Sequence, residues 1–167
     1  MKMFFSILFL IINQCSFAQK EYKTFYEEGK IKEIGRRAKS GFKIGTWKTY
    51  YKSGQLENIG NFKDAHTESS PNETRIGLWK FYHQNGKLYA IGRYDQKGRF
   101  AGKWKWFYDN GQLSVFWKHK KGAISGVSKR YHRNGYLKEI GKYKKDKKAG
   151  EWKYYDEQGK LMKTQIY

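Results

Sequence analysis

Residues Gly45 to Asn58 read GTWKTYYKSGQLEN, and the same phrase returns as GLWKFYHQNGKLYA (Gly77 to Ala90), GKWKWFYDNGQLSV (Gly102 to Val115) and GEWKYYDEQGKLMK (Gly150 to Lys163). Aligning the chain on the glycine in the middle of the phrase gives Gly29, Gly54, Gly86, Gly111, Gly135 and Gly159, spaced by 25, 32, 25, 24 and 24 residues. Self-similarity at such a period is the mark of a repeat architecture. Seven residues before each glycine stand Tyr22, Trp47, Trp79, Trp104, Ser128 and Trp152, and the next position is lysine in every copy: Lys23, Lys48, Lys80, Lys105, Lys129 and Lys153. An aromatic follows at Phe25, Tyr50, Tyr82, Phe107, Tyr131 and Tyr155. Beyond the glycine come Ile31, Leu56, Leu88, Leu113, Leu137 and Leu161, then Ile34, Ile59, Ile91, Phe116, Ile140 and Thr164.

Each column has a physical reason. Asn85, Asn110 and Asn134 precede their glycines, and Asn-Gly is a strong signal for a tight β-hairpin turn. Aromatic, β-branched and lysine residues flank the turn, as on a pleated surface. A second glycine recurs at Gly35, Gly60, Gly92 and Gly141, where a bulge or a close approach of the next copy is expected. One hairpin is too small to bury its own aromatics, so the copies must stack. The expected fold is all-β: an elongated, twisted antiparallel ribbon of β-hairpin repeats. Its core is Trp47, Trp79, Trp104, Trp152, Tyr50, Tyr82, Phe107, Tyr131, Tyr155, Leu56, Leu88, Leu113, Leu137 and Leu161.

The pattern G-x-W-K-x-Y-x-x-x-G-x-L resembles the MORN repeat, and more closely its bacterial variant, which ends in a turn like that from Tyr143 to Gly150. The resemblance covers roughly Tyr22 to Tyr167. It implies a β-hairpin solenoid used for binding, with no catalytic residues to carry over. Bacterial proteins of this variant are often grouped with the YwqK-type antitoxin family, which implies, as the alternative function, neutralisation of a toxin by direct binding.

The ends and the departures complete the organisation. Residues 1–18, MKMFFSILFLIINQCSFA, combine an early lysine, a short apolar run and Ser16-Phe17-Ala18, which reads as a cleavable signal helix. The run is too short to span a bilayer. Export to the periplasm, cell surface or medium follows. Cys15 offers a rival reading as a lipoprotein cysteine, against which Gln14 is bulky and polar. Residues 19–167 then form one array of about six copies, free of cysteine, with an inserted loop at 65–75 that holds the chain's proline. Within that loop Asn72-Glu73-Thr74 matches a glycosylation sequon. Two positions break the pattern: Ser128 replaces a tryptophan and Trp117 replaces a glycine, beside an additional Trp106.

No chemistry is legible. His83 and His132 share a column with Tyr51, Tyr108 and Asp156, which reads as a solvated position near the turn; His66 lies in the loop and His119 takes an aromatic position. No metal-ligand spacing, nucleophile elbow or phosphate-binding glycine loop occurs. The chain is expected to be non-enzymatic, without cofactor or metal.

Charge is the remaining feature: 35 Lys+Arg stand against 15 Asp+Glu, a formal net charge of +20. One hairpin per copy would set the six lysines roughly 9–10 Å apart. They would form a row on the order of 50 Å long, able to track an acidic protein or an anionic envelope component. The alternative is a solvated face, with lysine stems over rings and charges that discourage aggregation. A concave face carrying both aromatics and cations is expected, with Trp106 and Trp117 as a second candidate surface. An exported protein disfavours nucleic acid as the partner.

Overall fold

The computed structural model describes residues 21–64 and 73–167. The proposed signal helix, Cys15, His66 and Asn72 of the sequon lie outside them. The described residues form one antiparallel sheet of thirteen strands. They are β1 (Tyr22–Phe25), β2 (Ile31–Arg37), β3 (Lys43–Tyr50), β4 (Leu56–Phe62), β5 (Arg75–Tyr82), β6 (Leu88–Tyr94) and β7 (Phe100–Phe107). There follow β8 (Leu113–Lys120), β9 (Ala123–Ile124), β10 (Gly126–Tyr131), β11 (Leu137–Lys144), β12 (Lys147–Tyr155) and β13 (Leu161–Ile166). Strands pair in chain order except that β8 meets β10 directly, with β9 also pairing β8. Each copy is one hairpin: β1–β2, β3–β4, β5–β6, β7–β8, β10–β11 and β12–β13.

The hairpin turns differ in type from the two-residue turn that Asn-Gly favours. Around Gly111, Tyr108 N donates to Gln112 O and Gly111 N to Tyr108 O, with Gly111 at φ 93°. That is a three-residue loop closed by a left-handed residue, and glycine takes that conformation without steric cost. The asparagine oxygen of Asn110 accepts from Gln112 N at 3.0 Å, holding the loop from inside. A two-residue turn with both residues at positive φ does occur between copies, at Lys145 (50°) and Asp146 (66°).

The core is an interlock between copies. Trp47, Trp79, Trp104 and Trp152 are buried, and each lies flat on the glycine of the preceding copy. A Cβ built on Gly35, Gly60, Gly92 or Gly141 would fall 1.9–2.3 Å from the indole it carries. The ladder between copies opens at these glycines: Ile34 pairs Lys48 and Arg36 pairs Ile44, leaving Gly35 out. Each indole N–H then donates to a carbonyl beside the opening: Trp47 to Arg36, Trp79 to Asn61, Trp104 to Arg93 and Trp152 to Lys142, at 2.9–3.2 Å. Cations cover the other side of several rings, Lys43 over Trp47 at 4.6 Å, Arg75 over Trp79 at 4.7 Å and Lys148 over Trp152 at 4.1 Å. Part of the basicity is therefore structural.

The expected core and the expected loop are both corrected. Tyr50, Tyr82, Phe107, Tyr131 and Tyr155 are half-buried, as are Leu56, Leu88, Leu113 and Leu137, because no second layer covers them. Leu161 is 49% exposed, and β13 is the edge of the sheet among the described residues. Arg75, placed in the loop by sequence, already begins β5, and Glu73 is strapped down: its Oε1 accepts from Lys43 N at 3.1 Å and pairs with Arg37.

Candidate functional site

Consecutive residues of a strand point to opposite faces. Each lysine of the candidate row follows a tryptophan or its replacement, so the row lies on the face away from the indole interlock. The candidate lysines thus do not share a face with the buried tryptophans, whose cationic neighbours are Lys43, Arg75 and Lys148 instead. On the lysine face the cross-strand partners run without a gap: Lys23, Ile34, Lys48, Ile59, Lys80, Ile91, Lys105, Phe116, Lys129, Ile140, Lys153 and Thr164. One lysine falls on every second strand, and the residue between successive lysines is apolar and half-buried. Lys23 pairs with Glu21 and Lys153 with Glu151, each at 3.1 Å. The inner four, Lys48, Lys80, Lys105 and Lys129, make no ion pair among the described residues. Two positions along the strands on the same face stand Arg93, Lys103, Lys118 and Lys142, all exposed. Paired carboxylates such as Glu33 with Lys43 (2.7 Å) and Glu139 with Lys148 (3.5 Å) sit on the indole face.

Trp106 and Trp117 lie together on the indole face at the junction of the fourth and fifth copies. Trp106 stacks on Trp104 (5.4 Å, 27°) and meets Trp117 edge-on at 5.1 Å. They line a shallow open cleft of about 510 Å³ with Tyr89, Ser114, Asp109 and Arg133. Here the interlock is inverted. Trp117 occupies the glycine position and Ser128 the tryptophan position of the same interface, so ring and gap exchange strands. The carbonyl an indole would have filled, Lys118 O, instead accepts from Ser125 N at 2.7 Å. Trp117 Nε1, Ser128 Oγ and His119 Nδ1 are left without a hydrogen-bond partner among the described residues. Burial of His119 lowers its pKa from 6.5, an effect that Asp146 opposes.

The column holding His83 and His132 is not solvated. Tyr26 OH donates to Tyr50 O, Tyr51 OH to Tyr82 O and Tyr108 OH to Tyr131 O, at 2.6–2.8 Å. His83 Nε2 meets Phe107 O and His132 Nε2 meets Tyr155 O, both at 3.0 Å. A carbonyl only accepts, so these imidazoles carry their proton on Nε2. Each column residue therefore latches its copy to the next. Asp156, in the last copy, turns to its own loop and accepts from Gln158 N and Lys160 N. The turn asparagines form a second ladder: Asn85 Nδ2 donates to Asp109 O, Asn110 to Arg133 O and Asn134 to Glu157 O. The latch is hidden in the sequence because Tyr and His share only a polar tip at similar reach.

Among the described residues no group of three or more His, Cys, Asp or Glu is placed to hold a metal, and no helix is long and apolar enough to cross a membrane. A family model described as the MORN repeat variant matches residues 19–36, 43–64, 75–96, 101–115, 124–145 and 148–167. No curated protein sequence matches the chain.

Proposed function

The chain belongs to the MORN repeat variant family, and on that premise we propose that it is an exported, non-enzymatic scaffold whose lysine face binds an extended acidic partner of the cell envelope. Repeats of this family generally serve binding. Residues 1–18 act as the export signal and 19–167 as a single array. The observation that carries the reading is the row itself, in which Lys48, Lys80, Lys105 and Lys129 make no ion pair among the described residues and the two-strand step is about 9–10 Å. That interval is close to the Debye length of ~8 Å at physiological salt, so neighbouring charges add to a common field without severe mutual repulsion.

The test uses the chain from Gln19, which keeps every described strand. Envelope components are captured at low and moderate salt with the parent and with a variant carrying Lys48, Lys80, Lys105, Lys129 and Lys153 all changed to Gln, once circular dichroism shows both folded. Capture by the parent, weakened by salt and lost in the variant, is expected. Equal capture by both would leave the row as a solvated face. Recovery of a single protein toxin would favour the antitoxin role that the family grouping suggests.

A further inference from the structure

Resting on the reading just given, we propose that the ligand of the lysine face is an extended acidic polysaccharide bearing one carboxylate per two-sugar step, laid across the strands along the row. The fold fixes the interval: one lysine on every second strand, about 9–10 Å apart, with Ile34, Ile59, Ile91, Phe116 or Ile140 between successive lysines. The surface therefore alternates cation and apolar residue along one line. An extended β-linked polysaccharide alternates in the same way. Where one ring in two is a uronate, a carboxylate recurs at every second ring, and the C–H face of the intervening ring is apolar. A two-ring step matches the two-strand step, setting each carboxylate on a lysine and each intervening ring on an isoleucine or Phe116.

Other polyanions fit less well. Nucleic acid carries a charge every ~1.7 Å in a duplex and ~3.4 Å along one strand, so most of its charges would face no lysine. A sheet also twists by roughly 20–25° per strand. A row laid across a sheet with that twist would follow it, which a flexible polymer can track and a flat layer of lipid headgroups cannot. Glu21 and Glu151 neutralise the two end lysines, so the free charge lies in the middle of the row, where a polymer would pass.

Defined-length hyaluronan oligosaccharides, with one uronate per disaccharide, serve as the probe; polyphosphate of equal charge and vesicles of anionic phospholipid serve as comparisons. Binding is read by calorimetry on the chain from Gln19. Affinity should rise with each added disaccharide and level off near four, the number of lysines in the row that make no ion pair among the described residues. A charge-preserving variant, Lys80→Gln with Leu78→Lys, moves one charge two residues along β5 on the same exposed face. It should weaken hyaluronan about fivefold, the upper end for one exposed ion pair, and leave polyphosphate unchanged. If polyphosphate or vesicles bind as tightly charge for charge and the variant makes no difference, the spacing is not read and this inference falls, while the acidic-partner reading stands. If none of the three binds, both fall.

Discussion

Gly92 beneath Trp104 and Trp117 opposite Ser128 are the same interface built in opposite senses. In the first, the ring comes from the C-terminal copy and the gap from the N-terminal one; in the second, the roles are exchanged. The regular version joins a continuous run of edge-to-face contacts, Trp47–Phe62–Trp79–Tyr94–Trp104, at centroid distances of 5.2–6.5 Å. The inverted version interrupts that run, which resumes at Tyr143–Trp152–Tyr167. Direct pairing of β8 with β10 shrinks to Lys129 with Phe116 and Arg130 with Val115, and β9 fills the remainder. What the stack requires is one ring and one gap per interface. Which strand supplies the ring is free, but the hydrogen bonds around it are not transferable, and the orphaned Trp117 Nε1 and Ser128 Oγ are the residue of that exchange.

A double-mutant cycle puts this contrast under the greatest load. Trp117→Gly alone leaves a gap facing a gap and should cost about 3–5 kcal/mol, as for other large-to-small core changes. Ser128→Trp alone sets ring against ring and should cost about 1–3 kcal/mol. Together they recreate a regular interface, and urea unfolding should return to within about 1–2 kcal/mol of the parent. The remainder reflects the new indole N–H, whose acceptor Ser125 N already holds. Additive losses would show that the two residues do not share an interface.

A smaller contrast comes from alanine at equivalent places. Gly92→Ala puts a Cβ 1.9 Å from Trp104 Cδ2, so the ring must leave its seat at about 1–3 kcal/mol, visible as a lower urea midpoint and altered tryptophan fluorescence. Ser128→Ala removes a buried hydroxyl that has no hydrogen-bond partner among the described residues and should be neutral or slightly stabilising. Equal losses at both sites would erase the distinction between regular and inverted interfaces.

The smallest effect is in pH. His119 stands where Tyr94 and Tyr143 stand in neighbouring copies, and burial holds its pKa below 6.5. The unfolded chain therefore binds the proton more readily, so stability is full above about pH 6.5 and declines as pH falls through the interval between the two values. His119→Tyr should flatten the drop in unfolding midpoint between pH 7.5 and 5.5. An unchanged slope would mean that other groups cause it.

The regular interface is largely legible in the amino-acid sequence. Hairpins, turn glycines and strand pairing follow from a phrase whose copies agree column by column, and the lysine column becomes a row as soon as one hairpin is given to each copy. Ser128 and Trp117 stand out as departures, yet their compensation does not. They belong to different copies in the alignment and meet only because the glycine of one hairpin faces the tryptophan of the next. Summing side-chain volumes across copy boundaries, instead of down columns, would pair them. The Tyr50 and Leu56 columns are less buried than their residue types suggest for a related reason: composition cannot say that a second layer is missing.

The latch column gives the array a direction. Each of Tyr26, Tyr51, His83, Tyr108 and His132 reaches forward to a carbonyl of the following copy, whereas Asp156 reaches back into its own loop. The sequence thus contains something like punctuation. A duplicated internal copy arrives with both a hand to extend and a carbonyl to be held, and can be spliced in anywhere before the end. A copy appended after Asp156 finds no hand extended to it. The number of copies can therefore change by splicing between latched hairpins without leaving a latch unmade, provided that the inserted copy carries Tyr or His in this column.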